Sequence, residues 1–254
     1  MIKLEKTEVL GWEAAIRGMR NPMNSWDQSD SLFIKENFCD EDEDWKLSQM
    51  CGGWAPIVRD KDLDLMKRLR NAGTDHRKFM RMLTVYVDIT APLYWWKEFD
   101  TYKVGTVANS CSTMHKIHAK EFTLDDFSHD RMYETENGWI DAADGTKYLS
   151  PLTFFEGIVH QLNVYRERFL STKDKTWWWH MIQLLPTSYN QKRTVMLNYE
   201  VLANIYKSRK NHKLDEWHDL CRWIETLPYS ELITRKDDRN ERLESSIKDR
   251  QSDS

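Results

Sequence analysis

The sequence predicts a mixed α/β fold, because it contains both strand and helix patterns. Residues 82–90, MLTVYVDIT, alternate between apolar and polar side chains, which is typical of a half-buried strand. Residues 60–73, DKDLDLMKRLRNAG, instead carry apolar residues at helical spacing before a glycine stop. Residues 150–186 look helical in two pieces, and residues 193–212 form a strong helix candidate. We therefore expect both kinds of element in one fold.

The same patterns predict which side chains face the core. In the strand candidate the apolar face consists of Leu83, Val85, Val87 and Ile89. In the helix candidate at 60–73 the inward residues are Leu65, Met66 and Leu69.

Length and composition indicate a soluble globular protein. The chain has 254 residues, of which 40% are hydrophobic and 31% are charged, so it is long enough to bury a large hydrophobic core. Its 12 tryptophans suggest a core, ligand pocket or subunit interface rich in indole. A net charge of −4 argues against a nucleic-acid polymer as partner, although a small nucleotide needs only local cations.

One main domain with a tail is the organisation we expect. The domain spans residues 1–234, and the charged tail at 235–254 is predicted to be a solvated helix end or disordered. An acidic and aromatic excursion at about 121–151 contains turn signals and is interpreted as a lid or a long surface loop. The acidic run at 40–44, DEDED, is predicted to be a solvated loop.

Cysteine usage and the chain start predict a cytoplasmic location. The chain has four cysteines, at positions Cys39, Cys51, Cys111 and Cys221, and they form no C-x-x-C pair. Cysteines that lie this far apart are typical of a protein whose thiols stay reduced. The first residues, MIKLEKTEVLGWEAA, contain no apolar signal segment, and no apolar run approaches membrane-spanning length. We expect no membrane partner.

Residues 92–117 place many polar groups after an aromatic run. Pro92 suits the first position of a helix and Gly105 suits a stop. The helix is therefore predicted to present three residues at its C-terminal end, Thr101, Tyr102 and Lys103. A polar loop is predicted to follow, with Asn109, Ser110, Ser112 and Thr113.

The helix candidate at 193–212 carries a polar stripe. Residues eleven apart return to within about 20° on a helix, which aligns Asn198 with Arg209 through Leu202 and Ile205. Asn204 falls on a neighbouring stripe, one turn from Glu200. These buried polar groups need partners, so they form either a structural network or a binding site.

Two further constellations have weak chemical signals. Cys111 beside Ser112 could be a nucleophile, but no histidine stands at a clear activating spacing. His115-x-x-His118 with His129 has zinc-like spacing, and an exposed helix face explains the pair equally well. We predict no metal site, and the glycines form no phosphate-binding loop.

Taken together, the segments between about Leu65 and Ile224 resemble flavin-dependent thymidylate synthases. His76, a strand and APLYWW are similar to the family's His, strand and APIF segment. Asn109 and Ser112 match the Asn and Ser of N-E-x-S-G-R-Y. The strongest match follows L-P…N-x-R-x-x-x-N-x-x-x-x-R in order and spacing, at Leu185, Pro186, Asn198, Asn204 and Arg209. His212 and Trp217 resemble the histidine and tryptophan just beyond it.

The chain departs from this pattern at charged positions. The signature R-H-R-x-x-S falls on Thr101-Tyr102-Lys103, so one cation of three remains. Three family residues are replaced: an arginine by Met114, a tyrosine by His115 and a helix arginine by Glu200. Glu98 stands where the family has glutamine. Replacing Arg by Met deletes a charge-assisted contact of about 1.5–3 kcal/mol per hydrogen bond, and Arg to Glu adds repulsion near a phosphate.

The resemblance implies an enzyme that transfers a one-carbon unit reductively to C5 of dUMP, giving dTMP. It implies FAD as cofactor, with NADPH and methylenetetrahydrofolate as co-substrates. The implied catalytic residues are Arg209 and Ser112. Cofactor binding is implied for His76, Tyr102, Lys103, Asn109, Asn198 and Asn204, and substrate binding for Glu98, Thr101, Ser112, Thr113 and Arg209.

The family also implies a mostly antiparallel sheet flanked by helices, and a homotetramer. Two alternatives stay open. The chain could be a catalytically silent or repurposed nucleotide-binding member without flavin. It could also modify a different base or nucleotide, with Glu98 and Glu200 reading a donor group that the family's Gln and Arg could not.

Overall fold

The computed structural model describes residues 2–33 and 56–236. Four features lie outside this part of the chain: Cys39, the acidic run at 40–44, Cys51 and the tail from residue 237. The predictions made for them therefore stay untested. Within the described ranges, no helix combines the length and apolarity needed to cross a membrane.

Helices and antiparallel strands make up the fold, as predicted. The strands are β1 (Lys3–Leu10), β2 (Thr84–Pro92), β3 (Val107–Ser110), β4 (Trp139–Asp141), β5 (Lys147–Leu149) and β6 (Asn190–Asn198). Four of them form one sheet in the order β1-β2-β6-β3. The other two, β4 and β5, form an antiparallel hairpin with Ile140 opposite Tyr148.

The α-helices of the described residues are α1 (Trp12–Arg20), α2 (Asp60–Asn71), α3 (Leu93–Phe99), α4 (Thr113–Lys116), α5 (Pro151–Thr172), α6 (Lys175–Leu184), α7 (Tyr199–Arg209), α8 (Asp215–Glu225) and α9 (Glu231–Thr234). Short 3₁₀ helices lie at Asn21–Met23, Trp26–Gln28, Arg77–Arg81 and Leu124–Asp126. The two helices predicted within 150–186 are therefore confirmed as α5 and α6.

Two compact units divide the described residues. One unit contains residues 2–3, 89–101 and 109–193; the other contains residues 4–33, 56–88, 102–108 and 194–236. The predicted domain boundary at residue 234 is not tested by this division.

The first unit has an aromatic core on α5 and α6. Its buried members are Ile117, Phe122, Phe127, Phe155, Val159, Leu162 and Met181. The excursion at 121–151 contributes Phe122 and Phe127 to this core, and Asn163 of α5 holds Phe122 through both backbone groups, at 2.8 and 2.9 Å. The excursion is therefore anchored at its beginning, and the hairpin lies further along it.

Strand β2 has the predicted alternation. Leu83, Val85, Val87 and Ile89 are at most 1% exposed, which confirms the predicted core face. In α2, Leu65 and Met66 are buried as predicted, whereas Leu69 is only half-buried. The sequence pattern missed that Asp62 and Arg70 of the same helix are buried too.

The helix predicted over 193–212 is wrong in its first part. Residues up to Asn198 belong to strand β6, and α7 starts only at Tyr199. Gln191, Val195 and Leu197 are buried, so a period-two alternation decides the conformation of this stretch. Asn198 is consequently the N-cap of α7 and does not lie on its stripe with Leu202 and Ile205.

The prediction for residues 92–117 also needs correction. Pro92 ends β2 and precedes α3, which ends at Phe99, so Thr101, Tyr102 and Lys103 follow the helix instead of forming its last turn. The segment predicted as a polar loop contains strand β3 and the short helix α4. Backbone pairing explains the strand, since Cys111 donates its N–H to Lys192 O at 2.9 Å.

Candidate functional site

Among the predicted site residues, the guanidinium of Arg209 contacts two aromatic rings. Arg209 Nε donates to the hydroxyl of Tyr102 at 2.9 Å. Its guanidinium carbon lies 4.5 Å from the ring centre of Trp217, which is fully buried. Tyr102 and Trp217 meet edge to face, with ring centres 6.1 Å apart. Tyr102, from a distant part of the sequence, and Trp217 therefore fix the position of this cation.

Strand β6 and helix α7 determine where Arg209 stands. Asn198 Oδ1 accepts the backbone N–H of Val201 at 3.1 Å and so caps the helix. Leu202, Ile205 and Tyr206 bury one face of the helix. Arg209 is its last residue and is half-buried.

Gly105 packs closely against the Asn198 carboxamide. A Cβ on this glycine would lie 2.9 Å from Asn198 Nδ2 and 3.2 Å from Val201 Cγ2. Its φ of +78° is also in the left-handed region that favours glycine. The amide Nδ2 of Asn198 therefore faces backbone at a position where a side chain would displace it.

Glu200 is neutralised by two arginines. Arg77 Nε donates to its carboxylate at 3.0 Å, and Arg81 Nε donates to the other carboxylate oxygen. Burial by itself would raise the pKa of Glu200, but the hydrogen bonds from Arg81 and Arg77 outweigh burial and hold the pKa below its ordinary value. Glu200 is thus occupied in an internal ion-pair cluster, and its negative charge is balanced.

The remaining predicted residues of this unit are exposed. His76 precedes the 3₁₀ helix Arg77–Arg81, Lys103 lies in the connection between α3 and β3, and Asn204 lies on the exposed face of α7. Of the predicted set in this unit, the structure brings Tyr102 and Arg209 into direct contact.

The predicted residues of the other unit surround β3 and α4. Ser112 caps α4, since its Oγ accepts the backbone N–H of His115 at 3.0 Å. Gln191 Nε2 donates to Cys111 O at 2.9 Å and fixes the backbone just before this cap. Asn109 is exposed in β3, and Thr113 is half-buried at the start of α4.

Glu98 and Thr101 are joined by local hydrogen bonds. The hydroxyl of Thr101 donates to the backbone oxygen of Glu98 at 2.7 Å, and its N–H approaches the same oxygen at 3.2 Å. The hydroxyl proton of Thr101 is therefore used in a hydrogen bond to the Glu98 backbone at the end of α3. Met114, where the family has arginine, is partly exposed, and its carbonyl accepts the indole N–H of Trp178 at 3.1 Å.

The histidines and thiols predicted as weak candidates lie in different environments. His118 packs on Phe169, with ring centres 4.9 Å apart, and His129 Nδ1 lies 3.0 Å from Phe127 O. In the described part of the chain, no three His, Cys, Asp or Glu residues are grouped so that they could hold a metal ion. Cys111 is an exposed free thiol, and burial raises the pKa of Cys221 to about 11.

Sequence reasoning missed the two arginine partners of Glu200. Arg77 and Arg81 are four residues apart, and this spacing was the available signal, since it places two cations on one side of a helical turn. The acceptor lies more than a hundred residues away in sequence, so spacing alone could not identify it.

Over 92% of its length the chain has a fold like that of the flavin-dependent thymidylate synthase ThyX. Thymidylate Synthase X (ThyX) from Helicobacter pylori, solved with FAD and dUMP, superposes with a TM-score of 0.59. The alignment covers 92% of this chain and 97% of that chain at 15% sequence identity.

A second similar structure is the UMP/dUMP methylase PolB from Streptomyces cacaoi, solved with 5-Br UMP or 5-Br dUMP. With 5-Br UMP its TM-score is 0.54 at 11% identity, over 92% of this chain and 95% of that chain. No protein-family model matches the sequence, and no curated protein matches it.

Proposed function

We propose that the protein binds dUMP and FAD and transfers a one-carbon unit reductively to C5 of dUMP. Methylenetetrahydrofolate is the proposed donor and NADPH the proposed reductant. The coarse part of this proposal, a pyrimidine nucleotide as ligand, is supported by two structural neighbours, one solved with dUMP and the other with 5-Br UMP or 5-Br dUMP.

One observation carries the proposal: Arg209 is held in place by the Tyr102 hydroxyl and the Trp217 ring. Tyr102 accepts from Nε, and the Trp217 ring lies beneath the guanidinium. Both contacts orient the guanidinium, and an oriented guanidinium is a suitable hydrogen-bond donor to a ligand oxygen. In our proposal Arg209 donates to a pyrimidine carbonyl oxygen and stabilises the negative charge that develops there during substitution at C5.

Ser112 is the second proposed catalytic residue. Its Oγ accepts a backbone N–H at the start of α4, which leaves the hydroxyl proton available for donation. A hydroxyl oriented in this way can position a nucleotide oxygen. Thr113, Thr101 and Glu98 are the other proposed substrate contacts of the same unit.

Asn198 commits one of its two amide atoms to the start of α7. Oδ1 of Asn198 is used as the helix cap, while Nδ2 lies close to the Gly105 backbone. We propose that Asn198 and Asn204 bind the flavin ring, with His76, Tyr102 and Asn109 as further contacts and Lys103 facing a phosphate. When bound, FAD supplies the hydride chemistry, and these side chains orient it and exclude water.

The ion-pair cluster at Glu200 removes one objection to this proposal. A free carboxylate in place of the family's arginine would repel a nucleotide phosphate. Here Arg77 and Arg81 both bind Glu200, so the local charge is not negative. The same contacts argue against Glu200 as a reader of a different base.

A second candidate function is nucleotide binding without turnover. The observation that favours it is the hydrogen bond between Thr101 and the Glu98 backbone, because this hydroxyl replaces a family arginine and already has an internal acceptor. Met114 likewise offers no charge. A silent member of the fold would keep Arg209 and lose the flavin.

The experiment that separates these candidates is a visible absorption spectrum of the purified protein, with and without added FAD, followed by a dUMP turnover assay. A bound-flavin spectrum together with dTMP formation supports the enzyme. A protein that remains colourless with FAD but binds dUMP supports the silent alternative.

We predict that Arg209→Ala abolishes dUMP binding, weakening it roughly 100-fold or more, while the fold stays intact. The reason is the loss of charge-assisted hydrogen bonds worth about 1.5–3 kcal/mol each. Titration calorimetry with dUMP measures this loss. Lys207→Ala, an exposed cation on the same helix, is the matched control. Equal affinities of the Arg209 variant and the unmodified protein would remove Arg209 from the site.

A further inference from the structure

A cleft beside α1 and α2 is not used by the proposed reaction. Its volume is about 390 Å³, which is within the range of small-ligand sites. The polar and charged side chains that line it include Arg20, Ser25, Gln28, Lys61, Asp64 and Arg68. None of these residues belongs to the set assigned to the nucleotide or the flavin.

Arg20 is built into the wall of the cleft. It is 3% exposed, and its Nε donates to Asp62 Oδ1 at 2.7 Å, while Asp62 is fully buried. Its Nη1 donates to the backbone oxygen of Ser25 at 3.1 Å and approaches Ser25 Oγ at 3.3 Å. These contacts fix the plane of the guanidinium before any ligand arrives.

The anchor behind Arg20 is itself held by several hydrogen bonds. Asp62 Oδ2 accepts from the hydroxyls of Ser29 and Ser31, both at 2.7 Å, and from the N–H groups of Asp30 and Ser31. Burial would raise the pKa of Asp62, but these hydrogen bonds and that from Arg20 lower it. The carboxylate therefore stays ionised and keeps Arg20 in position.

One edge of the guanidinium remains for a ligand. In residues 2–33 and 56–236, no hydrogen bond uses Nη2 of Arg20. Arg20 is buried in the wall of the cleft, and two of its three nitrogens are held by hydrogen bonds. Its Nη2 group is therefore a preorganised hydrogen-bond donor.

Helix α2 supplies the other charges. Positions 61, 64, 65 and 68 share one face of a helix, so Lys61, Asp64 and Arg68 line the cleft together. All three are exposed, and within the described ranges none has an ion-pair partner. Because Asp62 already balances Arg20, this face contributes two positive charges against one negative charge.

We propose that this cleft is a second ligand site, which binds a small phosphate monoester. A phosphate offers several acceptor oxygens to Arg20, Lys61 and Arg68, and Ser25 and Gln28 can donate to the same group. The carboxylate of Asp64 would repel a second anionic group on the ligand. It can instead accept a hydrogen bond from a hydroxyl on the alcohol part of the phosphate monoester. The site is independent of the proposed dUMP reaction.

Titration calorimetry with inorganic phosphate at low ionic strength tests the proposal. The expected result is one bound phosphate per chain and an affinity at least tenfold weaker in the double variant Lys61→Gln/Arg68→Gln. The matched control is Lys97→Gln/Lys175→Gln, which removes two exposed cations elsewhere and is expected to bind phosphate like the unmodified protein. Equal losses in both double variants would overturn the proposal, since general electrostatics would then explain the binding.

Two more variants sharpen the test. Asp64→Asn is expected to strengthen phosphate binding severalfold, because it removes the one opposing charge; an unchanged or weaker affinity contradicts the proposal. Arg209→Ala is expected to leave phosphate binding unchanged. If phosphate binding disappears with Arg209→Ala and persists in Lys61→Gln/Arg68→Gln, the phosphate occupies the nucleotide site and the cleft proposal is wrong.

Discussion

Glu200 makes the stability of the protein depend on pH. Its pKa is lowered from an ordinary value of 4.5 in the folded state, so its contribution is complete above that value and is lost as the pH falls through the folded pKa. We predict that Glu200→Gln lowers the free energy of unfolding at pH 7 by about 1–3 kcal/mol and flattens its fall between pH 5 and pH 3. Urea unfolding across this range measures both effects.

The control for Glu200 is Glu156→Gln, an exposed carboxylate on α5. This variant is expected to follow the pH profile of the unmodified protein. If Glu200→Gln also follows that profile, the two arginines contribute no pH-dependent stability, and the ion-pair cluster is not the reason for the lowered pKa.

Lys103 is the remaining cation of the changed signature, and it is exposed. We predict that Lys103→Ala weakens dUMP binding more at low salt than at high salt, because ions screen a charge in water over about 10 Å at 0.1 M ionic strength. Binding measured from 20 to 500 mM salt gives this dependence. A loss that is the same at every salt concentration would count against a phosphate contact.

At the scale of elements, the turn at Gly105 links the α3–β3 connection to the start of α7. We predict that Gly105→Ala lowers stability by about 1–2 kcal/mol, because of its φ of +78° and because the new Cβ meets Asn198 Nδ2. It should also weaken FAD binding by displacing the Asn198 carboxamide. Thermal unfolding and a flavin titration measure the two effects.

Gly145 is a matched control for this substitution, since its φ is +83° and a Cβ there meets nothing within 4 Å. Gly145→Ala is expected to share the backbone strain and to leave FAD affinity unchanged. Should both variants bind FAD equally well, the contact with Asn198 has no part in flavin binding.

Element prediction worked where one period was long and unbroken. The alternation at 82–90 gave β2, and the apolar runs at 150–186 gave α5 and α6. Between 193 and 212 a strand passes directly into a helix at Asn198, and the apolar residues on both sides satisfy a helical spacing by coincidence. Only backbone pairing within the sheet decides such a junction, and pairing partners are remote in sequence.

At the scale of the whole molecule, the assembly remains a prediction. The chain carries exposed large side chains that include Val104, Val107, Phe154 and Trp179. Burying such surface favours association. We predict a homotetramer, as the resemblance implies, and light scattering after size exclusion measures the mass directly. A mass near the 30.5 kDa of one chain at micromolar concentration would rule it out.

The resemblance predicted the fold, which the similar solved structures confirm. The site roles that it implies for Asn198, Asn204 and Arg209 stay predictions. The resemblance could not predict the side-chain contacts that this chain forms where it departs from the family pattern. The partners of Glu200 and the support of Arg209 by Tyr102 join segments more than a hundred residues apart. Such contacts depend on side-chain packing, and linear spacing does not encode them.

Asn198 uses its two amide atoms for different purposes, and this has a thermodynamic consequence. Oδ1 closes the first turn of α7, and Nδ2 is the atom proposed to meet the flavin. A ligand that holds Nδ2 also holds Oδ1 on the Val201 amide, so cofactor occupancy and fraying of the helix that ends in Arg209 are linked equilibria. Loading the cofactor would therefore stabilise the first turn of the helix whose last residue, Arg209, is proposed to bind the nucleotide, and each ligand would favour the other without touching it.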